Sequence, residues 1–132
     1  MKRVNVSELS GKALDWAVAK AENFSYGDAG HGQIYIYKEG IPLMNAKAWT
    51  PSTDWAQGGP IIEREGIDLY CNLVGQPDHK DPSWQKSDWR ARYLRMGYGT
   101  DHSYGSTPLI AAMRCYVASK LGDEIEVPEE LL

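Results

Sequence analysis

Long apolar runs are missing from this 132-residue chain. No stretch approaches the roughly 20 residues that a membrane helix needs, and Met1-Lys2-Arg3-Val4-Asn5-Val6 lacks the apolar core of a signal segment. The chain therefore reads as cytoplasmic, with no membrane partner. Cysteine is scarce too. Cys71 and Cys115 are the two in the sequence, which excludes a disulfide framework and implies reduced thiols. Neither has metal-type Cys/His spacing around it. His31, His79 and His102 are scattered in polar stretches containing Gly or Asp, so they read as surface-loop residues. No metal and no cofactor is expected. Also missing are a phosphate-loop motif, a serine elbow and a dense Lys/Arg stripe, and the last absence argues against duplex DNA as a partner.

What is present is ordinary in amount and uneven in placement. Hydrophobic residues make up 42% and charged residues 24%, the balance of a soluble globular protein with enough chain to bury a core. Five Trp and eight Tyr stand against one Phe. Rings with a polar handle suit interfaces and pockets better than a purely oily interior. The net charge of −4 is concentrated at one end, since residues 121–132 hold five acids and no base. The body is slightly positive and can supply the two or three cations that a small phosphorylated ligand requires. These features predict an α+β domain over 1–122, with an elaborated aromatic loop or ribbon over 75–105 and an acidic tail over 123–132.

Periodicity places the elements. Val4–Val6 reads as a short strand, followed by a helix from about Ser10 in which Ala13, Leu14, Ala17, Val18 and Ala21 share one face. Trp16 falls on the opposite side between Lys12 and Lys20, where a second chain or a covering loop would meet it. Residues 25–32 are dense in turn formers, Gln33–Tyr37 is the clearest strand, and Lys38-Glu39-Gly40 turns into another ending near Trp49. Residues 67–74 form a third strand. In 89–95, Trp89, Ala91 and Tyr93 alternate with Arg90 and Arg92. The last helix has Thr107 as N-cap, Pro108 at its first position and Gly122 after its last turn. One side of it is bulky (Leu109, Ile110, Met113, Tyr116, Val117, Leu121) and the other small (Ala111, Ala112, Cys115, Ala118, Ser119). Such a helix lies between a sheet and a helix of its own chain or closes a dimer. The expected fold is thus a small, mainly antiparallel sheet packed by the first and last helices.

Residues 49–65 differ from the rest. Ser52 can cap a short turn through Trp55, and Gly59-Pro60 can open a second turn running to Glu65. Free backbone amides at two such starts, beside two Trp rings and an Arg, suit an anionic aromatic ligand. Equally, Ser, Asp, Gly and Pro build tight turns while Trp fills a core. The candidate ligand-binding set is Trp49, Trp55 and Trp89 for stacking on a base, Ser52, Asp54 and Gln57 for ribose or base edges, and Arg64, Arg90 and Arg92 for phosphates.

Three strings carry a resemblance: Ala13-Leu14-Asp15-Trp16-Ala17-Val18-Ala19-Lys20, residues 51–65, and the run from Thr107-Pro108-Leu109-Ile110 to Gly122. With them the chain resembles the NinX-like family of small bacteriophage and prophage proteins. The resemblance implies a phage accessory role in the host cell and brings no catalytic residues. Ile34–Tyr37, Gly40 and Trp49-Thr50-Pro51-Ser52-Thr53-Asp54 are also similar in order to small phage proteins that sequester cyclic ADP-ribose-type signals and silence the Thoeris immune system. Here the Ser-to-Asp spacing is one residue shorter, and Gly58-Gly59-Pro60 replaces the downstream acidic-Trp element.

Catalysis has little support. Glu63 and Glu65 point apart on a helix, Cys115 reads as a core thiol, and only a carboxylate-based nucleotide hydrolase assembled across the fold would remain. The reading carried forward is a non-enzymatic, homodimeric anti-defence binder that sequesters a nucleotide-derived signal. The alternatives are a protein-interaction adaptor and a single-stranded nucleic-acid binder, the latter disfavoured by net acidity.

Overall fold

Helix α3 (Pro108–Leu121) is the element around which the others pack, and its ends follow from its sequence. Thr107 Oγ1 accepts the Ile110 N–H at 3.1 Å, Pro108 has no N–H to satisfy, and Gly122 turns the chain out at φ 95°. The computed structural model describes residues 1–71, 89–93 and 102–132. Most of the expected loop over 75–105, and the strand residues beyond Cys71 and Tyr93, lie outside them.

The fold is α+β, as the periodicity predicts, but the strands divide into three small antiparallel sheets. β1 (Lys2–Asn5) pairs with β8 (Glu124–Val127). β2 (Ser25–Asp28), β3 (Ile34–Lys38) and β4 (Ile41–Asn45) form the second sheet in that order. β5 (Ile67–Cys71), β6 (Trp89–Tyr93) and β7 (Ser103–Gly105) form the third. In β6 the alternation holds: Ala91 is fully buried and Trp89 and Tyr93 pack on the core. Arg90 instead lies 5.7 Å from the Tyr104 ring and Arg92 4.7 Å from the Tyr70 ring.

Both sides of α3 are covered by the chain itself. On the small side a Cβ added to Gly105 would lie 2.6 Å from Ala111 N, so β7 makes the close approach that alanines allow. Arg114 donates to Tyr104 O at 2.8 Å and Ser119 Oγ to Tyr93 Oη at 2.9 Å on the same flank. On the bulky side Tyr116 Oη donates to Ala21 O, at the end of α1 (Gly11–Ala21). Burial pushes the Cys115 thiol up to about 11, as befits a core position.

Three expectations need correction. Residues 25–32 are a hairpin and not merely a turn: Tyr26 pairs with Ile36 across β2 and β3, and only Ala29–Gly32 turn. The stretch expected as an acidic tail is an edge strand, because Glu124-Ile125-Glu126-Val127 alternates, with Ile125 and Val127 buried and both glutamates exposed. The turn expected at Ser52 is present over Thr50–Asp54, but the second start expected at Gly59-Pro60 lies inside one helix, α2 (Trp55–Glu65), capped by Asp54 Oδ1 accepting the Ala56 N–H at 3.0 Å. The reason lies in Gly58, which is pressed onto neighbouring chain. A Cβ there would sit 2.4 Å from Pro51 O and 2.6 Å from Leu109 Cδ2. The glycine therefore serves packing, and the helix runs through it and Pro60 to its left-handed Gly66 cap.

Gly58→Ala should accordingly lower unfolding free energy by about 1–3 kcal/mol through overpacking. Gly59→Ala, which would meet nothing closer than Trp55 Cε3 at 4.0 Å, should be neutral or gain up to about 1 kcal/mol of helix propensity. Urea denaturation of the two variants reads the difference.

Candidate functional site

Asp15 sits on α1 among Ala13, Leu14, Ala17 and Val18 and is 7% exposed. Its carbonyl accepts the Trp49 indole N–H at 2.9 Å, and its Oδ1 accepts the Ser52 backbone N–H at 2.8 Å. Burial raises its pKa above the ordinary carboxylate value, and hydrogen bonding to Ser52 opposes that rise. Through these two bonds one helix residue fixes the whole turn that precedes α2. Trp49 is held further by an edge-on contact with Phe24, ring centres 5.3 Å apart.

The turn is braced internally as well. Gln57 Oε1 accepts the Thr50 N–H at 2.8 Å, while its Nε2 donates to Ala48 O at 2.8 Å and to Asp54 Oδ2 at 3.1 Å. The side-chain polar groups of Asp54 and Gln57 are thus engaged in the turn and helix cap. Ser52 is almost wholly buried, and its Oγ has no hydrogen-bond partner among the described residues.

Beside this turn opens a cavity of about 730 Å³, within the range of small-molecule sites. Trp16, Tyr26 and Trp49 contribute three rings to it; Lys12, Lys47, Asp15 and Glu130 contribute charges; Gln33, Asn45 and Thr50 contribute polar edges. The remaining wall includes Gly32, Ile34, Pro128 and Leu131. Lys20 lies 5.4 Å from the Trp16 ring and 6.0 Å from the Tyr26 ring, so Trp16 is met by a side chain of its own helix and is half-buried. Burial, and then the charge of Asp15, push the Tyr26 hydroxyl up to about 12, which keeps it a neutral donor at physiological pH.

Of the nine residues singled out from the sequence, Trp49 alone lines this cavity. Ser52 and Asp54 belong to the turn, Gln57 lies in the first turn of α2, and Trp55 is 53% exposed on the same helix. Trp89, Arg90 and Arg92 are on β6, where Arg92 bonds Asp68 at 3.4 Å and the Tyr70 hydroxyl. Arg64 joins a separate cluster, pairing with Glu22 and with Glu65 at 3.1 Å and donating to Tyr116 Oη at 3.2 Å. Lys120 also reaches Glu65, at 3.3 Å. Sequence reasoning missed Asp15, Tyr26 and Lys47 as site residues. For Asp15 a signal existed, an acid set beside Leu14 on an otherwise alanine-rich buried helix.

Among the described residues no three His, Cys, Asp or Glu side chains are grouped to hold a metal ion, and no helix is long and apolar enough to cross a membrane. The family model described as Bacteriophage P22 NinX matches residues 5–120. The chain belongs to the NinX family. The match spans α1, the Trp49–Ser52 turn, α2 and α3, so the residues that frame the cavity lie largely within the NinX region, and the membership marks a phage accessory protein. No curated protein matches the chain.

Two stability outcomes follow. Asp15→Ala strands the buried Ser52 N–H and should cost about 1–3 kcal/mol, measured by urea unfolding. Glu65 is partly buried, which alone would raise its pKa, but Arg64 and Lys120 hold it below the ordinary 4.5. Its contribution is present above pH 4.5 and is lost as pH falls through the lower folded-state value. Glu65→Gln should therefore flatten the acid limb of a stability-against-pH curve.

Proposed function

We propose that this NinX-family protein is a non-enzymatic binder that takes a nucleotide-derived small molecule into the cavity beside α1 and sequesters it. In a phage accessory protein the ligand class that suits this role is a host immune signal of cyclic-nucleotide or ADP-ribose type. The observation that supports the reading most is the composition of the cavity wall. Trp16, Tyr26 and Trp49 offer aromatic surface for a base, and Lys12 and Lys47, both exposed, offer cations for phosphate. Holding without cleavage is the simpler chemistry here, because Glu22 and Glu65, which could have served as an acid/base pair, are tied to Arg64 and Lys120.

A second reading has its own observation. Trp55 is half exposed on α2, and Ile34, Ile41 and Leu43 are exposed on the β3–β4 hairpin, apolar surface that a protein partner would cover. Under that reading the protein is an adaptor for a host or phage protein.

A thermal-shift panel of cyclic dinucleotides, cyclic ADP-ribose isomers and ADP-ribose separates the two. A bound ligand at about 100 times its dissociation constant stabilises the native state by about 2.7 kcal/mol, and chromatography should recover that ligand intact. Lys47→Ala should weaken binding about tenfold while leaving the unliganded melting temperature unchanged. No shift across the panel, together with a host protein captured by the wild type and not by Trp55→Ala, would instead establish the adaptor.

A further inference from the structure

Asp15 is the one cavity-lining acid that is also buried: Glu130, the other, is exposed. Its Oδ1 is occupied by the Ser52 N–H. The Ser52 hydroxyl also lies against the carboxylate and, with the amide, favours its charged form, while Oδ2 accepts no further backbone or side-chain N–H among the described residues. A carboxylate has about four acceptor positions, so Asp15 keeps acceptor capacity beyond its bonds to Ser52, and the residue forms part of a cavity wall. Trp16 is the next residue on the helix, and Trp49 is bonded to the carbonyl of Asp15 itself. The Asp15 carboxylate and two indoles therefore belong to one stretch of wall. Lys12 precedes Asp15 by one helical turn, and Lys47, which follows β4, also lines the cavity.

A flat heterocycle lying against the indoles presents its edge, where its polar atoms are, to whatever adjoins the rings. We infer that Asp15 sets ligand choice in this cavity by accepting a hydrogen bond from an N–H on the edge of a purine, adenine or guanine, while Lys12 and Lys47 hold the phosphate. The inference rests on the binding reading above and narrows it. Against a carboxylate as little exposed as Asp15, a base without a donor displaces water and offers no hydrogen bond in exchange, and so binds more weakly. Asn at position 15 would keep the carbonyl oxygen that Ser52 needs and replace the other oxygen by an NH₂ donor, reversing the demand.

The test compares adenosine and guanosine 5′-monophosphates with purine riboside 5′-monophosphate, which has the same sugar and phosphate but no N–H on its base, by isothermal titration calorimetry. At least one of the donor-bearing nucleotides should bind wild-type protein ten times or more tighter than purine riboside monophosphate. Asp15→Asn should abolish that preference, and Lys47→Ala should weaken all the probes together while preserving it. Equal binding of all three probes to wild type, or a preference that survives Asp15→Asn, overturns the role of Asp15 and leaves a nucleotide binder. Binding of neither these probes nor any member of the signal panel overturns both readings. The wild-type comparison decides the matter even if Asp15→Asn does not fold.

Discussion

One buried aspartate ties the first helix to the turn on which the middle of the chain depends. With its main-chain oxygen on the Trp49 indole and its Oδ1 on the Ser52 amide, Asp15 fixes both ends of a four-residue span. From there the constraint passes along the chain. Pro51, held in that span, lies against Gly58, and Gly58 lies against Leu109 of α3. Two helices and a turn are thereby locked to a single acid whose charge the surrounding apolar residues disfavour. Buried carboxylates persist where their hydrogen bonds are good and where they specify a geometry. Asp15 meets the first condition with the Ser52 amide, and the order of the turn meets the second.

A second polar cluster closes the other end of the same helices. Glu22 at the end of α1, Arg64 and Glu65 at the end of α2, and Tyr116 and Lys120 on α3 form a connected set. Its partners come from three helices, and each acid meets a cation or a hydroxyl. The glutamate side chains are shielded, at 12% and 15% exposure, so the contacts act in a lower dielectric than an ordinary surface pair. Because the cluster is satisfied within itself, its side chains are not poised for chemistry. The cavity beside α1 differs: there the Asp15 carboxylate meets no cation among the described residues, its Oδ1 accepting the Ser52 amide, and burial raises its pKa.

How far the sequence could be read depended on the range of the interaction doing the specifying. Thr107-Pro108 and Gly122 are local devices, and they bound α3 as expected. The alternation of Trp89, Arg90, Ala91, Arg92 and Tyr93 is local too, and it appears as β6. Gly58-Gly59-Pro60 reads locally as a break, yet the structure has a helix there, because what Gly58 accommodates is the Pro51 carbonyl and a leucine 51 positions further on. Ser25–Asp28 reads as a turn until Tyr35 and Tyr37 are opposite it. Charge likewise masked period: five acids in the last segment suggested a solvated tail, whereas Ile125 and Val127 had already set a strand for β1.

The site was harder to read than the fold for the same reason. Its walls come from residues 12–16, 26–34, 45–50 and 128–131, and no local spacing connects those segments. Turn chemistry drew attention to Ser52, Asp54 and Gln57, and such residues are good at turns because their side chains bond nearby backbone. Gln57 and Asp54 use their side-chain polar groups in this way, completing the turn and cap next to Trp49. The residues that line the cavity are those the local rules do not single out, an acid on a buried helix face, rings on three separate elements and two exposed lysines. In a small α+β protein a cavity wall is assembled from segments far apart in the chain, and here Asp15 is the residue that joins that wall to the turn before α2.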